Sequence, residues 1–173
     1  MRNAFKLTAG ALALVSAAQL QAAQTAATSC LNRDEVHGLV AYVLPDALDA
    51  TLTTCSPKLG PDSFLARRGP KLAETLRTGK NAIWPQARSA FFKFGGEHTA
   101  ELAKLKDATV RTMVDDLMSQ KLAPAIKPSI CGDVERILAP LEPLPTDNLV
   151  AFLSAIVSVA ARKDPKLPTC PES

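Results

Sequence analysis

Histidine is scarce in this 173-residue chain, where His37 and His98 are the only two. Acid–base and nucleophilic chemistry is left with few starting points, and no nucleophile lies near His37 for it to activate. The motifs G-x-S-x-G, H-E-x-x-H, the P-loop and G-x-G-x-x-G are all absent, so the hydrolase, zinc-protease and nucleotide-binding signatures find no support. Aromatic residues make up only 5% of the chain. The basic cluster Arg67, Arg68 and Lys71, continued by Arg77 and Lys80, has no aromatics between its charges, which argues against nucleic acid as a partner. No segment alternates apolar and polar residues between turn signals, so strands are not expected. Internal repeats are missing too. No apolar run is long enough to span a bilayer, which needs about 20 residues.

Four cysteines are present: Cys30, Cys55, Cys131 and Cys170. They are scattered singly, without the close C-x-x-C or Cys/His pairs of a zinc site, so no metal and no cofactor is expected. An even set of this kind reads as two disulfides and an oxidising compartment. The N-terminus agrees. Arg2 and Lys6 precede the apolar run LTAGALALVSAA, and small residues follow around QLQAAQ, the layout of a Sec signal peptide. The expectation is residues 1–22 as signal, with cleavage after Ala22 (Ala18 as the second choice), and 23–173 as a single helical domain, periplasmic or secreted. The chain's net charge of +3, less the two cations Arg2 and Lys6, gives +1. That calls for no polyanionic partner.

Thirteen prolines punctuate the chain, and between them the apolar spacing is helical. A first helix is predicted from about Asn32 to Thr54, with Asn32 as N-cap. Its stripe of Val36, Leu39, Val40, Val43, Leu44, Ala47, Leu48, Thr51 and Leu52 keeps phase across Pro45. PDSFLARRGPKLAETLRTG reads as two short helices closed by Gly79, and a further short one follows Trp84 and stops at Gly95-Gly96. A long helix is predicted from Glu97 to Leu122, with Leu102, Leu105, Val110, Met113, Val114, Leu117 and Met118 inward. On its outside, Asp107 would pair with Arg111 and Asp115 and Asp116 would be solvated. Asp133 opens a short helix with Val134, Ile137, Leu138 and Leu141 inward. Thr146 caps the last helix, which has no charged residue from Leu149 to Ala161 and is read as the central buried helix. The fold class is therefore all-α: a compact irregular bundle of about five to seven helices with two disulfides.

The disulfide connectivity follows in part from length. A continuous first helix would hold Cys30 and Cys55 some 35 Å apart, at roughly 1.5 Å per residue. A disulfide needs Cα atoms within about 7 Å. Each must bond elsewhere, to Cys131 or Cys170. The two crossed pairings stay open at this point.

The segment IWPQARSAFFKFGGEH gathers most of the aromatics. Trp84, Arg88, Phe91, Phe92 and Phe94 are the candidate binding residues. On a helix, Trp84, Ala87, Arg88 and Phe91 share a face, while Phe92 and Phe94 point elsewhere, so one face cannot bury them all. This leaves an aromatic lip for a protein or an apolar ligand. No catalytic residue is assigned. An enzyme centred on Glu97, His98 and Glu101, an inhibitor or immunity-type protein against a periplasmic toxin or hydrolase, and an envelope scaffold are the alternatives to a non-enzymatic binding module of the cell envelope. The stretches CLNRDEVHGLVAYVLPDAL, GPKLAETLR, AIWPQARSAF and CGDVERILAPLEPLPTDN resemble small exported four-cysteine helical proteins of Gram-negative bacteria. The resemblance implies export and a helical fold, and it brings no catalytic residues.

Overall fold

The computed structural model describes residues 30–94, 99–162, 167 and 169–170, apart from the side chain of Phe94. The expected signal peptide and its cleavage site lie outside these residues. The elements are α1 (Arg33–Cys55), α2 (Phe64–Arg67), α3 (Gly69–Phe94), α4 (Thr99–Leu102), α5 (Asp107–Ala125), α6 (Cys131–Leu138) and α7 (Thr146–Ala161). Short 3-10 turns precede and follow α6. The only extended pairing among the described residues is a single parallel bridge between Leu31 and Thr169. The all-α class and the two disulfides are as the sequence predicts. No described helix is long and apolar enough to cross a membrane.

The start of α1 is fixed by a reciprocal cap. The Asn32 side chain accepts from the Glu35 N–H at 2.8 Å, and the Glu35 carboxylate accepts from the Asn32 N–H at 2.8 Å. Two backbone donors that a helix start leaves free are thereby satisfied. The helix runs on through Pro45, which is buried, although proline lacks the N–H that would reach the Ala41 carbonyl. Its two ends are tied as the length argument requires, and the structure selects one crossed pairing. Cys30 bonds Cys170 with Cα atoms 5.0 Å apart, and Cys55 bonds Cys131 at 5.2 Å.

α1, not the last helix, is the centre of the molecule. Each of the three buried clusters draws on it: Leu48 and Cys55 in one, Tyr42 in the second, Val36 in the third. The first cluster adds Leu65 from α2, fully buried, a placement worth roughly 1.5–3 kcal/mol. The short α2 owes its position to Glu135 of α6, whose two carboxylate oxygens accept the N–H groups of Phe64 and Leu65. A carboxylate at a helix start satisfies free donors and meets the positive end of the dipole.

Three expectations about the elements are corrected. α3 does not stop at Gly79 or restart after Trp84. It runs unbroken through Gly79 and Pro85, because Gly69, Ala73, Leu76, Lys80, Trp84 and Ala87 are buried at three- and four-residue steps. Packing of that face outweighs the roughly 1 kcal/mol that a helical glycine costs. The predicted Glu97–Leu122 helix is instead two, α4 and α5, broken at 103–106. In α5 only Val110 is buried, while Met113 and Leu117, expected inward, are 47% and 48% exposed, and Leu105, also expected inward but in the break, is 40% exposed. Ile137, also expected inward, is 61% exposed. The third correction concerns α7. It packs on α1 but lies at the edge, with Phe152, Ile156 and Val159 in solvent.

Candidate functional site

The aromatic segment sits on the part of α3 that crosses α1. The crossing is close: a Cβ on Gly38 of α1 would lie 2.5 Å from the Gln86 Cβ and 2.9 Å from the Ala87 nitrogen. Only glycine leaves room for the α3 backbone there. That approach lays Tyr42 against Trp84, ring centroids 5.0 Å apart, and against the edge of Phe91 at 6.1 Å. Trp84 is therefore core, and its indole N–H donates to Asp107 at 2.9 Å. Asp107 thus accepts from the indole at the protein surface, its side chain 60% exposed, rather than pairing with Arg111. The Arg88 Nε lies 3.0 Å from the same carboxylate, within ion-pair range but without hydrogen-bond geometry. The guanidinium of Arg88 covers the Phe92 ring at 4.3 Å. Phe94 ends α3.

Behind these rings lies a polar network that the sequence reading missed. The Tyr42 hydroxyl donates to Asp115 at 2.7 Å and accepts from the Arg111 Nε at 3.2 Å. Lys80 donates to Asp46 at 2.7 Å and to Asp115 at 2.9 Å. Asp115 is thus a partner of two buried groups and not part of a solvated face. Burial, and then the Asp115 carboxylate, push the Tyr42 phenol well above its ordinary 10, with Arg111 pulling the other way. The network joins α1, α3 and α5. No local sequence signal marks it, since its bonded pairs, from Lys80–Asp46 to Tyr42–Asp115, are 34 to 73 residues apart. A second polar knot holds the start of α1. Glu35 accepts from Lys93 at 2.6 Å and from Ser89 at 2.6 Å, while Lys93 also donates to the Cys30 carbonyl. Burial alone would raise the Glu35 carboxyl. The hydrogen bonds from Lys93, Ser89 and the Asn32 N–H outweigh it and hold the group below its usual range.

In front of the aromatic cluster, α3, α4 and α5 enclose a groove of about 380 Å³. Phe91 and Phe92 form one wall, Leu102 closes an end, and Met113, Val114 and Leu117 form the other wall. The break between α4 and α5 shapes it, because it swings α5 so that Val110 meets Tyr42 and Trp84 while Met113 and Leu117 stay half-exposed at the rim. Asp116 is the single charged residue in the lining. Of the candidate residues, Phe91 and Phe92 line this groove, Trp84 and Arg88 stand behind it, and Phe94 has no described side chain.

The other candidates are not brought together. His98 and Glu97 lie outside the described residues, and Glu101 is exposed, paired with Lys104 at 2.8 Å. His37 borders a separate cavity of about 360 Å³ with Thr78 and Asp147. The basic cluster is divided: Lys80 is buried, Arg77 binds Asp49 and Glu74, and Arg68 binds Glu142 at 2.6 Å. Among the described residues no three His, Cys, Asp or Glu side chains are grouped to hold a metal ion. Fold and groove together define a disulfide-clamped helical bundle with an apolar cleft. No protein-family model, curated protein or solved structure matches the chain.

Proposed function

We propose that the chain is a non-enzymatic binding protein of an oxidising compartment, periplasmic or secreted, and that the groove between α3 and α5 takes a small, neutral, apolar ligand. The observation that carries this reading is the groove itself. It is walled by phenylalanine, leucine, methionine and valine, and its volume falls within the range of small-molecule sites, roughly 300–1,000 Å³. Asp116, as the only charge in the lining, disfavours an anionic ligand. The unbranched Met113 side chain suits a wall that must adapt to its occupant. The two disulfides favour the compartment, since such bonds persist outside the reducing cytosol.

Trp84 is the only tryptophan in the chain and packs with Phe91 and Val110, which border the groove. Its fluorescence therefore reads the groove through those two neighbours. Titration with decanol, an uncharged acyl probe, is expected to give a saturable change. Met113→Glu combined with Leu117→Glu is expected to abolish it while leaving the fold intact, because both side chains are about half-exposed. A flat titration of the wild-type chain, supported by no heat of binding, rejects the reading.

A further inference from the structure

α7 is apolar on both sides. Its buried side carries Leu149, Val150 and Ala161, together with Ser154, whose hydroxyl donates to the Val150 carbonyl of its own helix at 2.7 Å. The side facing solvent carries Phe152, Ile156 and Val159, which are 46%, 49% and 58% exposed. At a hundred degrees per residue, these three share one face with Asn148, Ala151, Ala155 and Arg162. All seven are exposed. Such a face, uncharged over three turns, is what a covered helix presents.

We propose that a second copy of this chain covers it, the two α7 helices packing antiparallel about a two-fold axis at Ala155. The face is self-complementary in that arrangement. Ala155 meets Ala155 at the crossing, where small side chains let helix axes approach to about 8 Å. Ala151 of each copy meets Val159 of the other, so a small residue faces a larger one. Asn148 meets Arg162, with Asp147 beside it, and the opposed helix dipoles are favourable. A parallel pair would instead set Arg162 against Arg162 and Asp147 against Asp147. A bilayer surface is the poorer occupant, because no lysine or arginine stands on the face between its ends to meet anionic headgroups. Two-fold pairing closes at the dimer and leaves no sticky end. One helix per partner is less than the standard interface of about 800 Å² a side, so the dimer dissociates with a constant on the order of micromolar.

Sedimentation equilibrium of the disulfide-intact chain is the test. The apparent mass is expected to double with rising concentration through the micromolar range. Ala155→Arg sets like charges against each other across the axis and is expected to weaken association by at least about tenfold, a loss of about 1.4 kcal/mol or more. Its far-UV spectrum and melting are expected to match the wild type, since Ala155 is exposed. Ala155→Cys is expected to oxidise to a covalent dimer, whereas Ala108→Cys, exposed on α5, does not. A monomer at every concentration, a monomer that floats with phosphatidylglycerol vesicles instead, or an Ala155→Arg chain that associates like the wild type overturns the proposal.

Discussion

α1 and α7 are both apolar helices, and α7 is the more apolar of the two. It has no charged residue between Leu149 and Ala161, whereas α1 includes Asp46 and Asp49 well inside its span. Yet α1 holds the centre and α7 the edge. The difference lies in what each helix offers its neighbours. α1 has a notch at Gly38 for α3, a hydroxyl at Tyr42 for the α5 carboxylate, and a disulfide at each end. α7 offers none of these and packs by one face alone. A helix becomes central by having specific partners on several sides, and hydrophobicity alone does not decide it.

The comparison breaks most sharply at the disulfides. Replacing Cys55 and Cys131 together by serine frees one end of α1 and opens the first cluster. A loss of about 2–5 kcal/mol is expected, read as a drop in the urea midpoint with a steeper slope, because the unfolded chain without that cross-link exposes more surface. Next in size is Gly38→Ala. The added methyl meets the α3 backbone rather than a flexible tip, so a loss of about 1–3 kcal/mol is expected, with quenching or shift of Trp84 emission as α3 moves off α1.

A smaller, reversible loss is expected in acid. The Glu35 carboxyl lies below its ordinary 4.5 in the fold, so the native chain holds fewer protons than the unfolded one between the two values. The stabilisation is complete above 4.5 and is lost as pH falls through the native value. Thermal melts across that range test it, and Glu35→Gln is expected to flatten this part of the profile. The alkaline mirror is Tyr42, the only tyrosine. Its raised native value means stability complete below 10 and lost above it, with tyrosinate absorbance absent from the folded chain where a free tyrosine would titrate. The smallest effects belong where neighbours are few. Gly79→Ala meets open space and is expected to stabilise by about 0.5–1 kcal/mol. Ile156→Gln, on the outer side of α7, is expected to change monomer stability by no more than about 0.5 kcal/mol.

What the sequence made legible was local or geometric. The Asn32 cap, the unbroken phase across Pro45 and the length of α1 were enough to rule out a Cys30–Cys55 bond. The aromatic cluster was visible, and two of its members, Phe91 and Phe92, do line the groove. What stayed hidden depended on distant partners. Gly79 looked like a stop because a glycine usually weakens a helix, and only the packing of Ala73, Leu76 and Lys80 shows why it does not. Lys80 read as part of a basic patch because Asp46 and Asp115 are 34 and 35 residues away from it. Met113 and Leu117 read as core because periodicity reports which residues share a face and not whether anything covers that face. The same is true of Phe152 and Ile156.

The Cys30–Cys170 bond makes the chain between them a ring, and Cys55–Cys131 ties off a second loop within it. In such a figure every peptide bond from 31 to 169 is bridged by another covalent route. A protease that nicks an exposed turn, such as 56–62 between α1 and α2, therefore opens a loop without releasing a fragment. The severed ends stay within reach of each other, and α1 remains fastened at Cys55 and, just before its start, at Cys30. Covalent topology of this kind guards the groove against the first cut.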